Sequence, residues 1–186
     1  MAAVRLRADA ERNRVALLAA AREIFSEQGL DASLDEIARR AGVGNATLYR
    51  RFPTRQDLIA AVFADRRATQ VEMAERALKQ PDPWVGFVYY VTSLCELQAM
   101  NRGLGELLLS VNFDGDERIA QLRATAQRRA REVIKRAQDA GGLRADFDLQ
   151  DLMRVMMANG GVIRGSADPD GWRRHLTLVL DGLRAR

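Results

Sequence analysis

Apolar residues recur three and four positions apart along nearly the whole of this sequence, whereas runs of strict alternation are short and scattered. The first period stacks side chains on one face of a helix, and the second would line one face of a strand, so the chain is expected to be all-α. Between Ala10 and Gln28 the stripe is Val15, Leu18, Ala19, Arg22 and Phe25, closed by Gly29 as a helix C-cap. "SLDE" sets Ser33 and Glu36 three apart as a reciprocal capping box, opening a helix that runs to Arg40. "TRQD" from Thr54 repeats that signal for a long helix to about Ala77, and Asp82 before Pro83 marks another start. Further helices are expected at Pro83–Met100, Gly103–Val111, Glu117–Ala140, Leu149–Ile163 and Gly171–Leu183. The turns between them, "NFDGDE", "AGGLRADFD" and "GSADPDG", are rich in Gly, Asp or Pro.

The stretch "GVGNATLYRRFPTRQDL", Gly42 to Leu58, is the most specific part of the pattern. The helix from Asn45 to Arg51 must stop there, because the residue before Pro53 is pushed out of the helical region. Joined to the preceding helix by "RAGVG", it has the form of a helix-turn-helix. Ala38 is small where the helices approach, and Gly42 fits a positive backbone angle in the turn. Ile37, Val43 and Leu48 are spaced to pack the pair onto the first helix. The face left over carries Asn45, Ala46, Thr47, Tyr49 and Arg51. Hydroxyl and guanidinium groups bind phosphate, and residues near the start of a recognition helix can reach base edges in the major groove. Tyr49 has a second reading, as a core aromatic with its hydroxyl at the surface. The N-terminal "VRLRADAERNR" fits either an arm in the minor groove or a frayed, solvated terminus.

"SLDEIARRAGVGNATLYRRFPTRQDLIAAVF", preceded by a helix ending "AREIFSEQGL", resembles the DNA-binding domain of the TetR family of transcriptional repressors over about the first third of the chain. That resemblance implies a homodimeric one-component regulator. Its parts would be a helix-turn-helix domain over residues 1–55, a connecting helix over 56–80 and a helical ligand-binding and dimerisation domain over 81–186. Carried over by position, Gly44, Asn45 and Ala46 would touch bases, and Thr47, Tyr49 and Arg51 would grip phosphates. Arg55 would add a phosphate contact, and Ser33 would meet another where its helix opens. Because Gly44 has no side chain, reading would lean on Asn45, Ala46 and one of Arg39 or Arg40, with Asp35 turned away from the DNA. The implied partners are a palindromic double-stranded operator, a second copy of the chain and a small lipophilic effector that releases the repressor.

Composition narrows the alternatives. The formal charge of +4 rests almost wholly on arginine, with Lys79 and Lys135 the only lysines, and arginine is the better bidentate phosphate ligand. The single cysteine, Cys95, gives no disulfide framework, there is no signal-peptide pattern, and no apolar run approaches the ~20 residues of a membrane span. A soluble, cytoplasmic protein without a membrane partner is expected. Catalysis is not: His175 is the only histidine, Cys95 has no adjacent base, and "DGDE" lacks the other ligands of a calcium loop. No catalytic residue, metal or cofactor is assigned.

The later helices are harder to read. Trp84, Phe87, Val91, Leu94, Gln98, Leu108, Leu122, Met153, Met156 and Asn159 would suit an apolar pocket with a few polar groups, or would simply fill a helical core. Leu152, Met156, Gly160 and Ile163 on one helix and Leu176, Val179 and Leu183 on the last form faces suited to a four-helix dimer interface, or to packing within one chain. A helical interaction protein with no regulatory role is the rival class, and it gives no reason for "TLYRRFPTR".

Overall fold

A computed structural model describes residues 2–101, 104 and 116–185, with side chains from residue 9 onward. Its helices, labelled in chain order, are α1 (Ala2–Gln28), α2 (Leu34–Arg40), α3 (Asn45–Arg51), α4 (Arg55–Leu78), α5 (Pro83–Met100), α6 (Glu117–Asp139), α7 (Leu149–Gly165) and α8 (Gly171–Leu183). The described residues form no strand, only one isolated bridge between Leu143 and Arg184. The expected all-α architecture is the observed one. The helix expected at Gly103–Val111 lies outside the described residues, apart from Leu104.

The chain divides into two compact units within α4, between Asp65 and Arg66. In the first, Leu17, Leu18, Ala21, Ile24 and Phe25 of α1 are buried with Ile37 and Ala38 of α2, Leu48 of α3 and Leu58, Val62 and Phe63 of α4. Arg22 of α1 and Asp65 of α4 form an ion pair at its edge. Gly29 takes φ +85° and its N–H donates to Phe25 O (3.0 Å), the C-cap expected for α1.

The second unit is a bundle whose helix ends are pinned by side chains. Asp82 accepts from the N–H groups of Trp84 (2.7 Å) and Val85 (3.1 Å), with Pro83 in the first turn as expected. Asp116 accepts from Ile119 N to open α6, and Asp148 and Asp151 form a reciprocal box at α7. Gly86 lets α5 cross close to the end of α4: a Cβ there would lie 2.5 Å from Ala77 O. Arg136 of α6 donates to Gln80 O (2.7 Å) and Ala77 O (3.4 Å), pinning the C-terminal end of α4, where Ala77 O also accepts from Gln80 N (3.1 Å). The core runs through Phe87, Tyr90, Val91 and Leu94 of α5, Val133 and Ile134 of α6, Leu152 and Ile163 of α7, and Trp172 and Leu176 of α8. Phe87 stacks tilted on Trp84 and edge-on to Phe147, both at 5.6 Å between centroids.

Candidate nucleic-acid interface

The turn between α2 and α3 is set by glycine. Gly42 adopts φ +68°, its N–H donates to Arg39 O (3.1 Å), and Val43 N donates to Ala38 O (3.0 Å). These paired bonds close α2 in the manner of a Schellman motif, which a residue with a Cβ would strain. Gly44 then caps α3, its carbonyl accepting from Thr47 N (2.8 Å) and Leu48 N (3.3 Å). Leu48 is fully buried, so one side of this two-turn helix is locked to the unit's core. Phe52 N returns to Leu48 O (2.8 Å), and Pro53 ends the helix at the expected place.

The opposite side of α3 is in solvent. Gly44, Asn45, Ala46, Arg50 and Arg51 are exposed and Thr47 is half-buried. Tyr49 is 46% exposed, which decides against a core aromatic. Asn45 Nδ2 donates to Asp35 Oδ1 (2.8 Å), so the amide that would read a base is held in one orientation with its carbonyl left to accept. Asp35, expected to point away from the DNA backbone, meets the first residue of α3 as the brace of Asn45. Of the two α2 arginines offered as helpers, Arg40 is turned to α1, pairing with Glu23 (3.2 Å) and Glu27 (3.6 Å). Those carboxylates hold its guanidinium pKa above the ordinary value.

Two other expectations change. Ser33 is the N-cap of α2, with extended backbone, but its side chain makes no capping bond. Its intended partner Glu36 accepts instead from Gln28 Nε2 (3.2 Å) and pairs with Arg39 (3.6 Å), so the Ser33 hydroxyl stays exposed. Arg55, expected on phosphate, lies half-buried at the start of α4, where its Nη1 donates to the carbonyls of Leu30 (2.9 Å) and Ala32. It braces the α1–α2 loop from below. The box expected at Thr54 does form: Asp57 N donates to Thr54 Oγ1 (3.1 Å) and Thr54 N to Asp57 Oδ2 (2.9 Å).

In the second unit the suggested pocket residues scatter. Phe87, Val91 and Leu94 are core, Trp84 and Leu122 are half-buried, Met153 is exposed, and Leu108 lies outside the described residues. Asn159 and Gln98 do meet: Asn159 Nδ2 donates to Gln98 Oε1 (3.3 Å), and Gln98 Nε2 donates to the Met156 carbonyl (3.0 Å). Asn159 is fully buried and its Oδ1 has no hydrogen-bond donor among the described residues. Beside this pair, burial pushes the Cys95 thiol up to about 12, which keeps it protonated and poorly nucleophilic.

The residues suggested for a dimer face divide by burial. Leu152, Gly160, Ile163 and Leu176 are buried within the protomer, and Met156, Val179 and Leu183 are partly so. The apolar residues that α7 and α8 turn outward are Met153 (45% exposed), Met157 (68%) and Leu178 (55%). Neither Met157 nor Leu178 was assigned to a dimer face from the sequence, because a helix with apolar residues on two sides does not reveal which side is covered. Gly161, on the exposed side of α7, has open space where a Cβ would stand.

Comparison with known proteins accords with this geometry. Residues 17–62 match the family model described as bacterial regulatory proteins, tetR family, and residues 82–185 match the C-terminal domain of SbtR-like transcriptional regulators. The crystal structure of a TetR transcription regulatory protein from Mycobacterium vanbaalenii superposes with a TM-score of 0.73 at 33% identity, covering 96% of this chain and 99% of that one. The HTH-type transcriptional repressor LfrR of Mycolicibacterium smegmatis is 33% identical over 138 residues, 63% of this chain and 68% of the relative. FadR from Bacillus subtilis, solved in complex with stearoyl-CoA, shares the fold at 17% identity, with a TM-score of 0.69 over 92% of this chain and all of that one.

Proposed function

The chain belongs to the TetR family of DNA-binding transcriptional regulators, and from that premise we propose that it is a cytoplasmic, homodimeric repressor released from a palindromic operator by a small lipophilic effector. Its work is binding rather than catalysis. The observation that carries the reading is the exposed face of α3: Asn45 held by Asp35, with Ala46, Tyr49 and Arg51 beside it, on a helix anchored by Leu48. Asn45 and Ala46 discriminate bases, while Thr47, Tyr49 and Arg51 hold the flanking phosphates.

The homodimer is favoured by Met153, Met157 and Leu178, an outward apolar face on the last two helices that water would otherwise cover. An effector is favoured by the buried Asn159 Oδ1, an acceptor without a donor among the described residues at an otherwise bonded pair. Such an orphan costs roughly 1–3 kcal/mol, and a bound molecule carrying one donor group would recover it. LfrR is named a repressor and FadR was solved with stearoyl-CoA, which favours repression and an effector with a long apolar body here. No helix among the described residues is long and apolar enough to cross a membrane.

Selection of duplexes from a random pool tests the reading. The expected result is an inverted repeat whose half-sites stand about 10 base pairs apart, or a whole-turn multiple of that. A pool that yields no inverted repeat, or full affinity for an isolated half-site, overturns it. An effector found by thermal-shift screening should weaken operator binding by a coupling of about 1–3 kcal/mol, and by linkage the operator should weaken effector binding equally.

A further inference from the structure

Between α1 and α3 the first unit holds a cleft of about 160 Å³, walled by Asn13 and Arg14 on one side and by Thr47, Arg50 and Arg51 on the other, over a floor of Leu17. The two walls follow from helix geometry. Asn13, Arg14 and Leu17 lie within one turn of α1, and Thr47, Arg50 and Arg51 stand three and four apart on α3, so each set shares a face. Leu17 is fully buried, which places this face of α1 directly on the core that anchors α3.

The charge in the cleft is one-sided. On neighbouring α2, Arg39 pairs with Glu36 and Arg40 with Glu23 and Glu27, so those guanidinium groups are compensated. Among the described residues no carboxylate lines the cleft, and the one acidic side chain paired with its arginines is the exposed Glu11, 3.5 Å from Arg14. Arg14, Arg50 and Arg51 all line this one small space, and like charges so close together favour an anion between them. The cleft is below the ~300–1,000 Å³ of small-molecule sites, which suits a single phosphate group rather than a nucleotide or a lipid.

We propose that this cleft seats one phosphodiester of bound DNA, so that α1 grips the backbone together with α3 and the contact surface includes Asn13, Arg14 and Arg50. Arg14, Arg50 and Arg51 supply charge-assisted donors, and the Thr47 hydroxyl and Asn13 amide supply neutral ones. The site fixes how deeply α3 sits in the groove and carries no base information. It rests on the DNA-binding reading above.

The test uses the full-length protein and a mixed-sequence duplex, with affinity measured by fluorescence anisotropy between about 50 and 200 mM salt. Arg14→Ala and Arg50→Ala are each expected to flatten the slope of log K against log salt by about 0.9 per protomer docked, or about 1.8 for a dimer. Arg14→Lys should keep the wild-type slope, as should Arg131→Ala, an exposed arginine of α6. Arg14→Gln retains most of the aliphatic stem, so a flatter slope at an unchanged melting temperature assigns the effect to charge. If Arg14→Ala and Arg50→Ala both keep the wild-type slope while Arg51→Ala flattens it, the cleft is a packing crevice and α3 grips alone. If Arg51→Ala also leaves the slope unchanged, or the wild type does not bind the duplex, the DNA-binding reading falls and the cleft with it.

Discussion

The α2–α3 pair and the α7–α8 pair are both two-helix elements that end in an exposed face, but the two faces were not equally readable. α2 and α3 have seven residues each, enough for one buried side and one solvent side. Once Leu34, Ile37, Ala38 and Leu48 are assigned inward, the remaining side chains are exposed or half-buried. α7 and α8, with 17 and 13 residues, carry apolar residues on two sides. Leu152 and Ile163 are as apolar as Met153 and Met157, and only the packing of α5 and α6 decides which set is covered. A short helix with one packed face declares its surface, whereas a longer helix in a bundle does not.

The largest effect expected from that difference is at Phe87. As a core residue stacked between Trp84 and Phe147, it should cost about 3–5 kcal/mol when cut to Ala, measured by equilibrium unfolding in denaturant. As a pocket-lining residue beside open space it would cost far less, and a loss below about 1 kcal/mol would return Phe87 to the pocket.

Next in size is the dimer. Replacing Met157 and Leu178 together by Glu would set like charges opposite each other across the proposed two-fold interface, which should weaken self-association by on the order of 3 kcal/mol, more than a hundredfold in Kd. Ile163→Val, on the buried side of α7, should cost about 0.5–1.5 kcal/mol of stability and leave association unchanged. Sedimentation equilibrium across protein concentration separates the two. A double-Glu variant that remains dimeric would move the interface off this face.

A smaller effect is expected at Arg55, where position and structure disagree. Removing donors from the Leu30 and Ala32 carbonyls should cost about 2 kcal/mol in Arg55→Ala, because bonds from a charged donor are worth ~1.5–3 kcal/mol. The salt dependence of DNA binding should not change, since the guanidinium is occupied inside the fold. An unchanged stability with a flatter salt slope would restore Arg55 to the phosphate surface.

What the sequence disclosed follows the range of the forces involved. Helix starts and stops depend on residues three or four apart, so Gly29, Gly42, Pro53, Thr54 and Asp82 could be placed from local pattern alone. Asn45, Tyr49 and Arg51 followed because a glycine turn and a proline stop leave them no inward option. The brace from Asp35 to Asn45 spans ten residues and the bond from Arg55 to Leu30 spans 25, and no short-range rule pairs such residues. Arg50 went unassigned and Arg14 was read only as part of an N-terminal arm or frayed terminus for the same reason, because their shared cleft exists only once α1 lies against α3. The pair Asn159–Gln98, 61 positions apart, was named residue by residue, but its unsatisfied oxygen emerges only from packing.

The smallest effect tests the local rules themselves at two helix starts that look alike in sequence. Ser33 opens "SLDE" and Asp82 opens "DPWV", and both residue types are strong N-caps. Asp82 makes its bonds, to Trp84 N and Val85 N, so Asp82→Ala should cost about 1 kcal/mol, within the ~0.5–2 kcal/mol range for a lost cap. Ser33 makes none, because Gln28 and Arg39 have drawn Glu36 away and left the reciprocal box without its second half. Ser33→Ala should therefore change stability by no more than about 0.5 kcal/mol, as a surface substitution does. Its freed hydroxyl is available to a phosphate, so the same substitution should weaken duplex binding by a few-fold, the loss of one neutral hydrogen bond worth about 1 kcal/mol. Paired unfolding and binding titrations on the two variants decide it. If Ser33→Ala destabilises the protein as much as Asp82→Ala does, the capping box forms in solution and Ser33 belongs to the fold rather than to the DNA surface.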